Sequence, residues 1–551
     1  VDKSNYSKGK IQPEPPVCGR DGSSDPLLLI ASGIDYDPLP EGDSSEVHVY
    51  RTGEKITALT EDNIRAAAGL GFRAFQIPAS DFFNRDLNPD GTADWSDLDE
   101  NLKMLARLNM SAVIVAGYYW IPPCIEQSDS AVPISCLAHD ESLPIFSLWN
   151  EFTYEWIERC VSALAGHLRN NPAFIEAIQI GVYGDYGEAM FPCGGTLYYP
   201  DSNNAISTKN LHNHPDFWCY DPCARADYIE TLQNKKQSCK ASRPLKNDIP
   251  DLFPSPPHEG NIDPDWFTFL QWYHNSMTRH IERTTAIFRK YFPTNKLSVF
   301  LGGGVEPHHY GQDNTALCKI ARSSDVIIRS TASASQVLTR QVKELPIPLA
   351  AAFQRNYPIV KRISTACRFF DIPMWLEPPY PPSLHGPEST VRLFELLSCG
   401  AVGCFEWNQT LKRQDYIFTK YKDMLLQDKP VVDVAIYFPV LSHRSKRDSL
   451  LPEKFWHSAA RARTVTDYDI VDDLLIRSGV LERYSLLLMP EIDRVEHSLL
   501  EIIDKWVASG GIVLAQNCGP ITLNGTEKTD ERSWLGVAPS CEIKMESLTN
   551  K

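Results

Sequence analysis

The stretch Ile178–Pro192, IQIGVYGDYGEAMFP, decides the fold. Its opening apolar run predicts a buried strand. The run then breaks into Gly181, Tyr183, Gly184, Asp185, Tyr186, Gly187 and Glu188. A buried strand ending in a glycine-rich turn with a carboxylate is how a parallel barrel presents an acid at its C-terminal face. A second apolar stretch, IPMWLEPPYPP, carries Glu377, 189 residues beyond Glu188. Two carboxylates meeting in one pocket are the minimum equipment for cleaving a glycosidic bond.

Outward from this stretch, strand and helix alternate. LLLIASGIDYDP, FRAFQIPASDF and SAVIVAGYYWIPP read as strands before it, and AFIEAIQIGVYG is the strand that enters it. LSVFLGGGVEP, VIIRSTA, IPMWLEPP and AVGCFEWNQ follow. Between them LTEDNIRAAAGLGF predicts a helix capped by Thr60, with Gly71 past its end. DWSDLDENLKMLARLNM predicts a second helix from near Ser96, IFSLWNEFTYEWIERCVSALAGHLRNNP a long one, and Trp266–Tyr291 another. Alternation of this kind implies a parallel sheet, and eight strands imply an α/β (β/α)8 TIM barrel over residues 27–428. Residues 1–26 read as a polar arm, and about 193–262 as an irregular insertion rich in Cys, His, Asn and Pro. After a break at Asp428–Pro430, residues 431–551 read as a doubly wound, Rossmann-like domain. VVDVAIYFP starts it, and helix, strand, helix and strand follow over YDIVDD…VLAQN. Neither a G-x-G-x-x-G fingerprint nor a P-loop appears there, so no nucleotide is assigned.

Basic residues number 54 against 70 acidic, a formal charge of −16. Without a basic stripe, nucleic acid is a poor partner, because its affinity rests on Lys/Arg–phosphate contacts. No apolar run approaches the roughly 18 residues of a membrane span, so no membrane partner is expected. Fourteen cysteines, with N-x-S/T sequons at Asn5, Asn109, Asn408 and Asn524, favour a secreted, disulfide-bonded glycoprotein.

The order of motifs resembles glycoside hydrolase family 42, the clan A β-galactosidase-type enzymes, over about residues 27–520. GIDYDP is similar to that family's opening strand. LNPDGTADWSDLDENLKMLARLNMSAVIVAGYYWIPP is similar to its E-P-x-x-G-x-x-x-F-x-W-L-D stretch and the strand with paired prolines. IPMWLEPPYPP matches the nucleophile strand and GAVGCFEWNQ the last barrel strand. The tail resembles the family's amidotransferase-like domain, which mediates trimer formation and has lost amidotransferase chemistry. One departure is clear: the family's Asn-Glu at the end of strand four is absent, and its position falls on or beside Tyr183. GDYGEAMFP resembles instead the β-amylase acid segment G-x-x-G-E-L-R-Y-P, which moves the acid role to Glu188. The family 164 β-mannosidases share the same layout. The resemblance implies a homo-oligomer, dimer or trimer, acting on an oligosaccharide or glycoside without a cofactor.

Glu377 is thus the candidate nucleophile, flanked by Trp375 and Pro378; a structural carboxylate bonded to an arginine is the plainer alternative. Glu188 is the candidate acid/base, with Tyr183, Tyr186 and Phe191 expected to keep it protonated near neutral pH. If this pair works by retention, the carboxyls stand ~5–5.5 Å apart; inversion requires about 6.5–9.5 Å. Asp35, and less so Asp37, are candidates for sugar hydroxyls. Arg73, beginning the second strand, is a candidate to orient the nucleophile. Tyr118, Tyr119, Trp120 and Trp407, with Tyr183 and Trp375, are candidate aromatic contacts for the sugar, with core packing as the alternative. Glu306 is a rival nucleophile, beside His308 and His309, and Glu406 a fainter one. Cys193, Cys219, Cys223 and Cys239, near His212 and His214, lack the compact CxxC pairing of a zinc site, so disulfides are preferred there and no metal is assigned. Cys124 with Cys136 is a further expected pair. A catalytically inactive carbohydrate-binding or structural glycoprotein is the rival from another class.

Overall fold

The structure, a computed structural model, describes residues 26–33, 59–81, 84–138, 141–169, 171, 174–184, 187–192, 216–238, 252–254, 264–302, 307–331, 349–377, 387–406, 411, 417–444, 453–490, 495–516, 522–523 and 527–528. Its strands in chain order begin with β1 (Leu28–Ser32), β2 (Ala74–Pro78), β3 (Ser111–Ala116), β4 (Pro133–Ser135), β5 (Ser142–Phe146) and β6 (Ile175–Ile180). They continue with β7 (Leu297–Leu301), β8 (Val326–Thr331), β9 (Met374–Glu377) and β10 (Gly403–Glu406). Eight of these close a barrel in the order β1-β10-β9-β8-β7-β6-β3-β2, every pair parallel. All eight strands expected from the sequence are present. Because the strands are parallel, their C-terminal ends open on one face, where barrel enzymes keep their chemistry.

Alternation along each strand sorts the side chains. Ile30, Ala74, Val113, Ala177, Ile327, Trp375 and Phe405 fill the interior, while the outer faces pack against the helices. Trp375 is the largest of the inner group, and Gly403 on the neighbouring strand makes room for it. A Cβ at position 403 would stand 2.3 Å from the Trp375 ring.

Local signals hold at the helix starts. Thr60 accepts a bond from the Asn63 amide ahead of the helix Glu61–Gly69, and the second helix is Ser96–Arg107. The long helix expected from Ile145 begins instead at Glu151, capped by Asn150, and ends at Leu168. The residues before it form β5, antiparallel to β4. Pairing with β4 holds residues 142–146 extended, and the Asn150 side chain accepts from the Phe152 amide, so the helix starts there. The insertion contains a helix, Pro222–Ser238, where an irregular segment was expected.

Beyond the barrel lies a second parallel sheet of β11 (Val434–Tyr437), β12 (Asp469–Val471), β13 (Leu486–Pro490) and β14 (Ile512–Gln516), in the order β12-β11-β13-β14. Asp469–Val471, expected within a helix, forms the edge strand of this sheet instead. The Ile470 amide on this edge bonds the Thr365 hydroxyl of the barrel helix Leu349–Phe369. That helix also supplies Lys361 and Arg368 to Asp469, and Lys361 to Asp467. These charges are buried but paired, the only arrangement in which burial is tolerable.

Candidate active site

Glu377 ends β9 with its side chain on the inner face, two residues beyond Trp375, and is 6% exposed. Arg329, inward on β8, donates to its Oε2 at 2.6 Å. The same guanidinium donates from Nη1 to Gln179 Oε1 of β6 at 2.7 Å and to Gln76 Oε1 of β2. Its plane lies between Phe300 and Phe405, 4.7 and 3.9 Å from their ring centres. One cation therefore ties β2, β6, β8 and β9 together across the barrel mouth. Burial lifts the Glu377 carboxyl above its ordinary range, and the Arg329 charge and hydrogen bond oppose that rise.

Glu188 follows β6 in a loop whose glycines each have a task. The Val182 amide bonds the Gly187 carbonyl and the Gly184 amide bonds the Glu188 carbonyl, folding the chain back on itself. Gly187 has φ +88°, a region that favours glycine. A Cβ at Gly184 would lie 2.4 Å from Glu188 Oε2, so the carboxylate rests directly on that glycine. A Cβ at Gly181 would lie 2.7 Å from the Cα of Gly117, which permits the ends of β3 and β6 to approach. The Ala189 amide then bonds the Phe300 carbonyl at the end of β7, and the Phe191 amide bonds Tyr310. Glu188, 6% exposed, thus sits at the same C-terminal face as Glu377.

The other expected site residues divide. Tyr119 and Trp120 follow β3 at this face but are 3% and 2% exposed. The Tyr119 ring lies beneath the acid loop, against Gly117 and Gly181. Tyr183 is fully buried and its ring stacks on His280 of the helix Pro264–Tyr291, on the outer side of the strand, so it is not a sugar contact. Trp375 is likewise no platform: it plugs the barrel interior below Glu377. Arg73 precedes β2 at the opposite, N-terminal end of the barrel and is exposed, so it cannot orient the nucleophile. Arg329 holds that place instead. Glu406 ends β10 opposite Ala31, on the outward side by alternation from Phe405, which disfavours it as a nucleophile. Tyr118, His308 and His309 are buried. Asp35, Asp37, Tyr186, Glu306 and Trp407 lie outside the described residues.

The expected Cys124–Cys136 bond is not formed. Cys124 is exposed, and Cys136 directs its thiol to Asp216 at 3.1 Å. No disulfide joins any of the described cysteines, Cys219 and Cys223 included. Cys193, Cys239, His212 and His214 lie outside the described residues. Among the described residues no cluster has the makings of a metal site, and no helix is long and apolar enough to cross a membrane.

A closed (β/α)8 barrel with Glu377 on the inner face of β9 and Glu188 in the loop after β6, both at its C-terminal face, defines the class of scaffold. No protein-family model matches the sequence, and no curated protein does. Solved structures do match. The β-galactosidase of Bacillus circulans sp. alkalophilus superposes with a TM-score of 0.60 at 12% identity, over 90% of this chain and 72% of that one. The β-galactosidase of the Antarctic haloarchaeon Halorubrum lacusprofundi gives 0.60 at 13%, over 86% and 73%. The catalytic domain of the Paenibacillus polymyxa β-amylase gives 0.50 at 13%, over 69% and 92%. At these identities the likeness shows the fold, and the resemblance to family 42 is met at that level.

Proposed function

We propose that the protein is a retaining glycoside hydrolase acting on β-linked sugars, with Glu377 as nucleophile and Glu188 as acid/base. The observation that carries this reading is the Arg329 bridge. It holds one carboxylate of the barrel mouth through charge and, through Gln179, anchors the strand that delivers the other. Glu377 attacks the anomeric carbon as Glu188 protonates the departing oxygen; Glu188 then takes a proton from the water that releases the sugar. A β-galactoside is the first substrate to try and a β-mannoside the second, following the likeness in sequence. A secreted oligomer is part of the same proposal. Asn109, the one sequon asparagine among the described residues, is exposed in a left-handed turn.

The test is hydrolysis of a panel of 4-nitrophenyl β-glycosides by the wild-type, Glu377→Gln and Glu188→Gln proteins. Turnover lost in Glu377→Gln, with azide restoring a glycosyl azide in Glu188→Gln, is expected. No turnover on any sugar would favour an inactive carbohydrate-binding scaffold. An inverting mechanism is the second reading, favoured by the β-amylase-like segment GDYGEAMFP. Proton NMR of the first-formed anomer separates the two: the β-anomer supports retention and the α-anomer inversion.

A further inference from the structure

We infer that the second sheet is a working part of the candidate site: Arg444 and His443 position Glu188 by bracing the loop that holds its segment. The inference rests on the assignment of Glu188 as the acid. That segment is gripped from β7 onward. Ala189 bonds the Phe300 carbonyl at 2.6 Å, and Phe191 bonds the Tyr310 carbonyl at 2.9 Å. Gly302 leaves room for the Met190 sulfur, whose distance to a Cβ there would be 2.3 Å. Gly311, at φ +61°, leaves room for the Phe191 ring, which such a Cβ would meet at 2.7 Å. The loop 307–313 is therefore the backing against which residues 189–191 are set.

The other side of this loop meets the second sheet. The His308 ring lies 4.6 Å from that of His443, between it and Trp266. Asp313 accepts from Arg444 at 2.7 Å through one oxygen and caps the helix Asn314–Ser324 through the other. Burial opposes the charge of Asp313, but Arg444 and the Ala316 amide outweigh it and hold its carboxyl at about 2. Two residues past the cap, the Thr315 hydroxyl donates to Asp472, which follows β12. His443 and Arg444 belong to the short helix directly after β11. Open α/β sheets bind their ligands beyond the C-terminal ends of the strands. Here the helix after β11 instead contacts the barrel loop that backs residues 189–191.

A residue that positions a general acid shows itself in how the rate depends on the leaving group. A 2,4-dinitrophenyl glycoside departs without protonation, whereas a phenyl glycoside needs the acid. On whichever sugar the wild-type protein hydrolyses, Asp313→Asn and Arg444→Gln are expected to lower kcat/KM for the phenyl glycoside about ten-fold or more, and for the dinitrophenyl glycoside about three-fold or less. Asn keeps the helix cap, and Arg444→Lys, which keeps the charge, is expected to recover most of the loss. Circular dichroism melts confirm that each variant is folded. Equal losses on both substrates in a folded variant, or none on either, would overturn the inference while leaving the hydrolase reading intact. A wild-type protein inert on every glycoside would overturn both.

Discussion

Removing the guanidinium at position 329 takes away what opposes the burial of Glu377. Its carboxyl already stands above the ordinary range, so Arg329→Met raises it further. The ionised, nucleophilic fraction then falls at a given pH, and the acid limb of the kcat/KM profile moves to higher pH; an unmoved limb would contradict the assignment. Leaving one partner of a buried pair alone also costs about 3–5 kcal/mol, read by urea unfolding at neutral pH. Gly184→Ala tests the other carboxylate. Its methyl would occupy the resting place of Glu188 Oε2 and press on the Glu188 Cβ at 2.8 Å, so turnover of phenyl glycosides is expected to fall about 10²-fold, with a lowered melting temperature as the loop shifts. The position of Glu377 at the C-terminal end of its strand was legible in the sequence because it closes an apolar run. The Arg329 bridge from Glu377 to Gln179 and Gln76 was not. Gln76 in AFQIP, Gln179 in AIQIG and Arg329 in VIIRST are each one polar residue in an apolar run, and only barrel register brings them together. Arg73 is displaced by its own position: it comes before the first residue of β2, which in a parallel barrel is the face opposite Glu377.

At the scale of elements, the barrel strands were legible because each is an apolar run bounded by turn residues, buried on both faces. The pieces β4, β5 and β12 escaped because PIS, SLPIF and DIV mix polar residues or proline into the run and so lack the continuous apolar signal of the barrel strands. The helix Pro222–Ser238 escaped for a related reason: its polar and apolar residues have no sided pattern, and its start is set by tertiary contacts. Asp221 caps it, accepting from the amides of Cys223 and Ala224 and from the Ser147 hydroxyl, while Oδ2 is buried with no partner among the described residues. Burial lifts its carboxyl to about 6. The sign follows: the protonated form favours folding, so this contribution is complete below about pH 4 and is lost as pH rises through 6. Asp221→Asn keeps a capping oxygen and cannot ionise. Its melting temperature is expected to exceed that of the wild type by several degrees at pH 8 and by much less at pH 4.5, by differential scanning fluorimetry. A variant less stable at both pH values would show that the ionised carboxylate is the better cap.

For the whole molecule, what matters is how the second sheet is held to the barrel, and this was the least legible feature. Lys361, Arg362 and Arg368 in IVKRISTACRF look like the solvated side of a helix, yet all three face the second sheet. Asp469 is the hub, 2% exposed, paired with Arg368 and Lys361 and accepting from Tyr484 at 2.8 Å. Burial works against its charge, but the two cations outweigh it and keep the carboxyl below its usual range. Its contribution is therefore present above about pH 4 and lost as acid protonates it. Asp469→Asn removes the carboxylate paired with Arg368 and leaves Lys361 with Asp467 among the described residues, at a cost of about 3–5 kcal/mol. Because the loss falls at the junction, calorimetry at pH 7 is expected to split one transition into two, the earlier belonging to the second sheet. The brace on the loop behind Glu188 ends in that sheet. Heating to between the two transitions is therefore expected to abolish turnover of phenyl glycosides before that of dinitrophenyl glycosides, while the barrel is still folded. Simultaneous loss of both would mean that the sheet supports the barrel as a whole and not the acid in particular.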